Sequence, residues 1–271
     1  MIRLDKRFSG ALAALFILGA AALMAPRQAA AAELTIAAAA DLTFAFKDVA
    51  TQFQQQSSDK LRISYGSSGN FFSQIKNGAP FDVFFSAEVQ YPQKLEAAGL
   101  IEPGTIYEYA AGKIVIWVPA SSTLDLSKGL DALLDPAIHK IAIANPEHAP
   151  YGRAAIAAMQ HDGIYDKVKS KFVMGEDISQ TAQFVQSGNA DVGIVALSLA
   201  LAPAMKDRGR FVMIPAADYP PIIQAVCVLK ASKHKDLARR LLDFIKEPAT
   251  VAKMGEYGFV LPGGADAASQ K

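Results

Sequence analysis

Short apolar runs alternate with stretches whose apolar residues recur at helical spacing, and this alternation limits the fold more than any other feature of the chain. Residues 34–40 read as a strand, after which Leu42, Phe46, Val49 and Phe53 recur three to four apart. The pattern repeats with strand 61–64 before helix 71–75, strand 83–86 before helix 93–98, and strand 140–144 before helix 153–159. Residues 113–118, 171–174, 192–196, 211–214 and 222–229 are further extended runs. Ile178, Thr181, Ala182 and Val185 form one helical stripe, Leu237, Leu241 and Phe244 another, and residues 250–257 close the pattern as a helix. Parallel strands need a long crossover, usually a helix, so the alternation predicts an α/β protein with mainly parallel sheets. No repeat of solenoid period and no long low-complexity linker interrupts it. The turn-rich segments 104–112 and 215–221 are the candidate crossings between two lobes. Two crossings place residues 33–112 plus 223–271 in lobe I and residues 113–222 in lobe II. Such a layout closes on a ligand by a hinge.

The first 32 residues read as an export leader. Arg3, Lys6 and Arg7 give a basic start, residues 11–24 are apolar, and residues 29–32 are a run of alanines suited to cleavage. The apolar run is short for a membrane span, so the expectation is a released periplasmic protein without membrane insertion, and a monomer. The formal net charge of +1 becomes −2 once the four cations Arg3, Lys6, Arg7 and Arg27 and the single anion Asp5 are removed with the leader. That near-neutral balance argues against nucleic acid as a partner and leaves small molecules and proteins. The only cysteine, Cys227, sits in an apolar run and reads as a packed side chain without a disulfide.

Four strand-to-helix junctions carry the chemistry: Ala38-Ala39-Ala40-Asp41-Leu42-Thr43, Ser67-Ser68-Gly69, Asn145-Pro146-Glu147-His148-Ala149-Pro150-Tyr151-Gly152 and Gly175-Glu176-Asp177-Ile178. Ligands of open α/β sheets sit beyond the carboxyl ends of strands. A helix start offers free N–H groups and about half a positive charge. Converging starts hold an oxyanion with neutral donors and no cation. His139, His148, His161 and His234 are scattered without metal-ligand spacing. Ser68 lacks the G-x-S-x-G elbow of a hydrolase, and Gly66 with Gly69 lacks the Lys-Ser/Thr ending of a P-loop. The residues therefore point to a binding protein rather than an enzyme. An exported hydrolase or phosphoryl-transfer enzyme is the alternative of another class.

These junctions, with Gly78-Ala79-Pro80-Phe81-Asp82-Val83-Phe84-Phe85-Ser86-Ala87-Glu88, Gly193-Ile194-Val195 and Tyr257-Gly258-Phe259, resemble the periplasmic molybdate-binding proteins of ABC importers, in that family's order and over nearly the whole mature chain. The resemblance implies a two-lobed type II periplasmic binding-protein fold. It implies tetrahedral molybdate or tungstate as ligand, no further cofactor, and a membrane permease with a cytoplasmic ATPase as partner. Carried over by position, the ligand-contacting residues are Asp41, Ser68, Tyr151 and Ile178, the last through its backbone N–H. Ser67, Ala196 and Ser198 are secondary candidates. All contacts would be to oxyanion oxygens, none directly to the metal. Asp41 stands where relatives have Ser or Asn, and Ala196 where one branch has a Tyr, so that contact is lost and Tyr151 would supply the phenol from the opposite wall. Two readings of Asp41 stay open. It caps a helix beginning at Leu42 and offers only its amide, or it shares a proton with the ligand, which would suit phosphate or arsenate. A receptor for phosphate, arsenate or sulfate is the alternative within the class. A role for Ser198 as a helix cap stands beside its role as a donor.

Overall fold

The computed structural model describes residues 32–262. The expected leader lies outside the described residues except for Ala32. Among the described residues ten strands form two five-stranded sheets. The first has the order β2 (Lys60–Gly66), β1 (Glu33–Ala39), β3 (Val83–Ser86), β10 (Ile222–Val228), β4 (Tyr107–Gly112). The second has the order β7 (Phe172–Gly175), β6 (Ile141–Ala144), β8 (Val192–Ala196), β5 (Ile114–Pro119), β9 (Gly209–Met213).

Both sheets are mixed, where the alternation predicted mainly parallel ones. β1 runs parallel to β2 and β3, and β6 runs parallel to β7 and β8. β10 is antiparallel to β3 and β4, and β5 is antiparallel to β8 and β9. The physical reason is connectivity. β5 and β10 enter their sheets directly from the other sheet, not through a helix lying on their own, so nothing forces them parallel. The chain leaves the first sheet at Gly112 and enters the second at Ile114, then returns between β9 and β10.

Residues 107–112, taken as part of a crossing, form β4, an edge strand paired with β10. The run lacks the β-branched density that marks a strand, and its partner lies far along the chain. Residues 215–221 do connect the sheets, with a 3-10 turn at Ala216–Asp218.

Helices α1 (Ala45–Gln55), α2 (Ser68–Lys76) and α3 (Gln90–Ala97) follow β1, β2 and β3. In the second sheet α4 (Pro150–His161) and the single turn α5 (Tyr165–Val168) follow β6, α6 (Ile178–Gln186) follows β7, and the short turns α7 (Leu197–Ala200) and α8 (Pro203–Lys206) follow β8. The chain ends with α9 (Lys235–Lys246) and α10 (Pro248–Glu256). Leu237, Leu241 and Phe244 bury the inner stripe of α9 against the first sheet, as their spacing predicts. The Phe53 and Phe244 rings meet edge-on at 5.4 Å, and the Phe46 and Phe85 rings are tilted with centroids 4.4 Å apart. Each such side chain contributes roughly 1.5–3 kcal/mol of burial. Cys227 is fully buried in β10, and that burial pushes its thiol pKa up, as expected of an inert packed thiol. No helix among the described residues is long and apolar enough to cross a membrane.

Candidate functional site

The carboxyl ends of five strands point at one small cavity of about 10 Å³. From the first sheet come Ala39–Asp41 after β1, Gly66–Ser68 at the end of β2, and Ala87 after β3. From the second come Ala149–Tyr151 at the start of α4, and Asp177 with Ile178 at the start of α6. No Lys, Arg or His lines it. A wider groove of about 720 Å³ lies at the opposite ends of the first sheet's strands, between Glu33 and His234. It gathers no converging helix starts.

Each helix start is shaped by its own sequence. Ser67 caps α2, its Oγ accepting from the Asn70 amide at 3.4 Å. Asp177 caps α6 more firmly, Oδ1 accepting from Ser179 N (2.8 Å) and Gln180 N (2.9 Å). Pro150 opens α4, where its missing N–H costs nothing. The amides of Ser68, Tyr151 and Ile178 therefore lie in the first turns of three helices, out of reach of any carbonyl of their own helix. Ser68 Oγ accepts from the Ala87 amide at 2.9 Å and keeps its hydroxyl proton for a guest.

Asp41 is 1 % exposed and lies within a 3-10 turn, Ala40–Leu42. The expectation that it caps the next helix fails, because α1 starts only at Ala45 and the Asp41 side chain caps nothing. Its Oδ2 instead accepts from Tyr151 Oη (2.8 Å) and Gln224 Nε2 (2.6 Å). Tyr109 Oη donates to Gln224 Oε1 (2.6 Å), which fixes the direction of the Gln224 amide. Asp41 Oδ1 has no hydrogen-bond partner. Burial raises the Asp41 pKa from 3.8 to about 6, against the opposing pull of the Gln224 and Tyr151 bonds. Burial, followed by the neighbouring Asp41, holds the Tyr151 phenol well above its ordinary value, so it remains a donor. Its proton goes to Asp41, whereas the sequence reading aimed it at the ligand.

The secondary candidates divide. Ser67 lines the cavity, and its Oγ lies 2.8 Å from His148 Nδ1 and 2.9 Å from the His148 carbonyl. Gly69 N donates to that same carbonyl at 2.9 Å, and a Cβ at Gly69 would stand 2.6 Å from the oxygen, so this crossing of the cleft requires glycine. Ala196 and Ser198 are not among the lining residues. Ser198 is inside α7 and caps no helix. Its Oγ donates to the Asp41 carbonyl at 2.8 Å and so holds the 3-10 turn in place. Gln224 and Tyr109 were missed by sequence reasoning. The signal for Gln224 was available, as a lone polar residue inside the apolar run of β10 that turns out fully buried.

Residues 34–260 match the family described as bacterial extracellular solute-binding protein. The chain is 38% identical over 244 residues to the molybdate-binding protein ModA of Azotobacter vinelandii, covering 90% of this chain and 95% of that one. It is 38% identical over 232 residues to ModA of Rhodobacter capsulatus, covering 86% and 90%. The solved structure of the Azotobacter vinelandii periplasmic molybdate-binding protein superposes with a TM-score of 0.80 at 35% identity, covering 84% of this chain and 99% of that one. Two mixed sheets joined by two crossings, a cavity at their facing strand ends and a match spanning nearly all the described residues agree: the chain belongs to the bacterial extracellular solute-binding protein family.

Proposed function

We propose that this protein is a periplasmic receptor that binds molybdate or tungstate and delivers it to an ABC permease driven by a cytoplasmic ATPase, without itself catalysing a reaction. The observation that carries the reading is the cavity, where the Ser68 hydroxyl and three first-turn amides from both sheets surround one small space that no basic side chain lines. Hydrogen bonds to a charged group contribute roughly 1.5–3 kcal/mol each. Several of them, with the helix ends, support dissociation constants between about micromolar and nanomolar after the costs of association. The 38% identity to two proteins named molybdate-binding protein supports the choice of ion. Molybdate and tungstate match closely in size and charge, so the same donors suit both.

The experiment is calorimetric titration of the purified mature protein with sodium molybdate, tungstate, sulfate and phosphate. The expected result is tight binding of the first two and at least a hundredfold weaker binding of the others. Failure to bind molybdate anywhere between pH 6 and 8.5 would sink the reading.

A further inference from the structure

A carboxylate is an unexpected wall for a dianion. Asp41 lines the cavity, is almost wholly buried, and leaves Oδ1 unbonded while Oδ2 holds both available donors. An unpaired carboxylate oxygen beside a doubly charged guest, in a space closed off from bulk solvent, repels it strongly. Among the described residues no charged partner offsets this. The titratable groups facing Asp41 are Tyr151 of α4, Tyr109 of β4 through Gln224, and Asp177 at the far wall before α6. From α7 comes only the neutral Ser198, and from α6 the buried Ile178, Thr181 and Ala182. On β2 the Tyr65 phenol is raised to about 12 by burial, and Asp48 of α1 is engaged by Tyr257 Oη at 2.7 Å. None of these is a cation.

We propose that Asp41 takes up one proton when a fully deprotonated oxyanion binds, and that its neutral carboxyl group donates from Oδ1 to an oxygen of that ion. The proton comes from solvent. Oδ2 continues to accept from Tyr151 and Gln224, so the change converts an unpaired acceptor into the missing donor without moving a side chain. The inference rests on the oxyanion reading above and makes that site pH-gated. The free carboxyl already has its pKa lifted to about 6, so the uptake is nearly one proton per ion at pH 7.5 and vanishes near pH 5. Affinity accordingly levels off below about pH 6 and falls about tenfold for each unit above it.

Calorimetric titration of the mature protein with sodium molybdate at pH 6.5, 7.5 and 8.5, each in two buffers of different ionisation enthalpy, reads both quantities. The expected result is a proton uptake approaching one at pH 7.5 and an affinity about a hundredfold lower at pH 8.5 than at pH 6.5. Asp41→Asn, which carries a permanent N–H donor, should bind with no uptake and a flat profile, and more tightly than the unaltered protein at pH 8.5. Molybdate binding with no buffer-dependent heat and an affinity constant within twofold from pH 6.5 to 8.5 overturns the proposal while leaving the receptor reading intact. An Asp41→Asn variant that keeps the tenfold-per-unit slope overturns it as well. Absence of molybdate binding at every pH would strike the receptor reading itself.

Discussion

Asp41 must also be held in place before any ligand arrives, and that has a cost in stability. Its folded pKa, about 6, stands above the ordinary 3.8. A raised acid pKa means that the carboxyl's stabilising contribution is complete below about pH 3.8 and is lost as pH rises through about 6. At about 1.4 kcal/mol per unit, the ionised group costs up to about 3 kcal/mol by pH 8. We therefore expect ligand-free Asp41→Asn to unfold at a higher denaturant concentration than the unaltered protein at pH 8. The gap should shrink to nothing near pH 4. An equal gap at both pH values would show that ionisation of Asp41 plays no part. The sequence marked Asp41 as a departure from its relatives, but neither its two donors nor its bare oxygen was legible there. Tyr151 and Gln224 lie 110 and 183 residues away, and only the fold brings them to it.

Helix starts, not strands, set the donors of the site. Asp177 makes two hydrogen bonds to the first turn of α6 and so fixes where the Ile178 amide points. Asp177→Ala should cost about 1 kcal/mol of stability, read as a lower denaturant midpoint at unchanged slope. It should also weaken molybdate binding more than that loss of stability explains, because the amide loses its orientation. Unchanged affinity would remove Ile178 from the donor set. Most of these elements could be read in advance. The strand–helix alternation predicted β1, β2, β3 and β6 with the helices after them, and β8 as a buried strand, since apolar period and burial agree there. Ser67, a secondary candidate for the site, caps α2. The antiparallel half of each sheet was not legible, because nothing local in 222–228 says that it inserts between β3 and β4. Ser198 and Ala196 stay off the cavity wall for a related reason. The short turn α7 faces the back of the 3-10 turn rather than the cavity.

Across the whole molecule, polar contacts join the two sides of the cleft. Asn70 Nδ2 donates to Glu176 Oε1 at 2.5 Å, Arg153 pairs with Glu88, and Ser67 meets His148. The first two are partly exposed, and exposed pairs contribute about 0–1 kcal/mol. Asn70→Ala and Glu88→Gln should each weaken molybdate binding by no more than about fivefold. The loss should appear in the dissociation rate, measured by stopped-flow mixing with excess tungstate, with the association rate little changed. A slowed association instead would mean that these contacts guide the ion in rather than hold the cleft shut.

The place of β10 has a consequence for how the protein comes into being. It is the fourth strand of its sheet in space and the last in sequence, and it carries Gln224 to Tyr109 across 115 residues of chain. Until it arrives, β4 has no neighbour at all and β3 has a bare edge, so the first sheet remains unfinished through most of synthesis. The amide that steadies Asp41 arrives with that same late strand. A fragment ending before residue 222 would lack both the seam of its first lobe and the grip on its cargo, which makes competence to carry the ion a property of the finished chain alone.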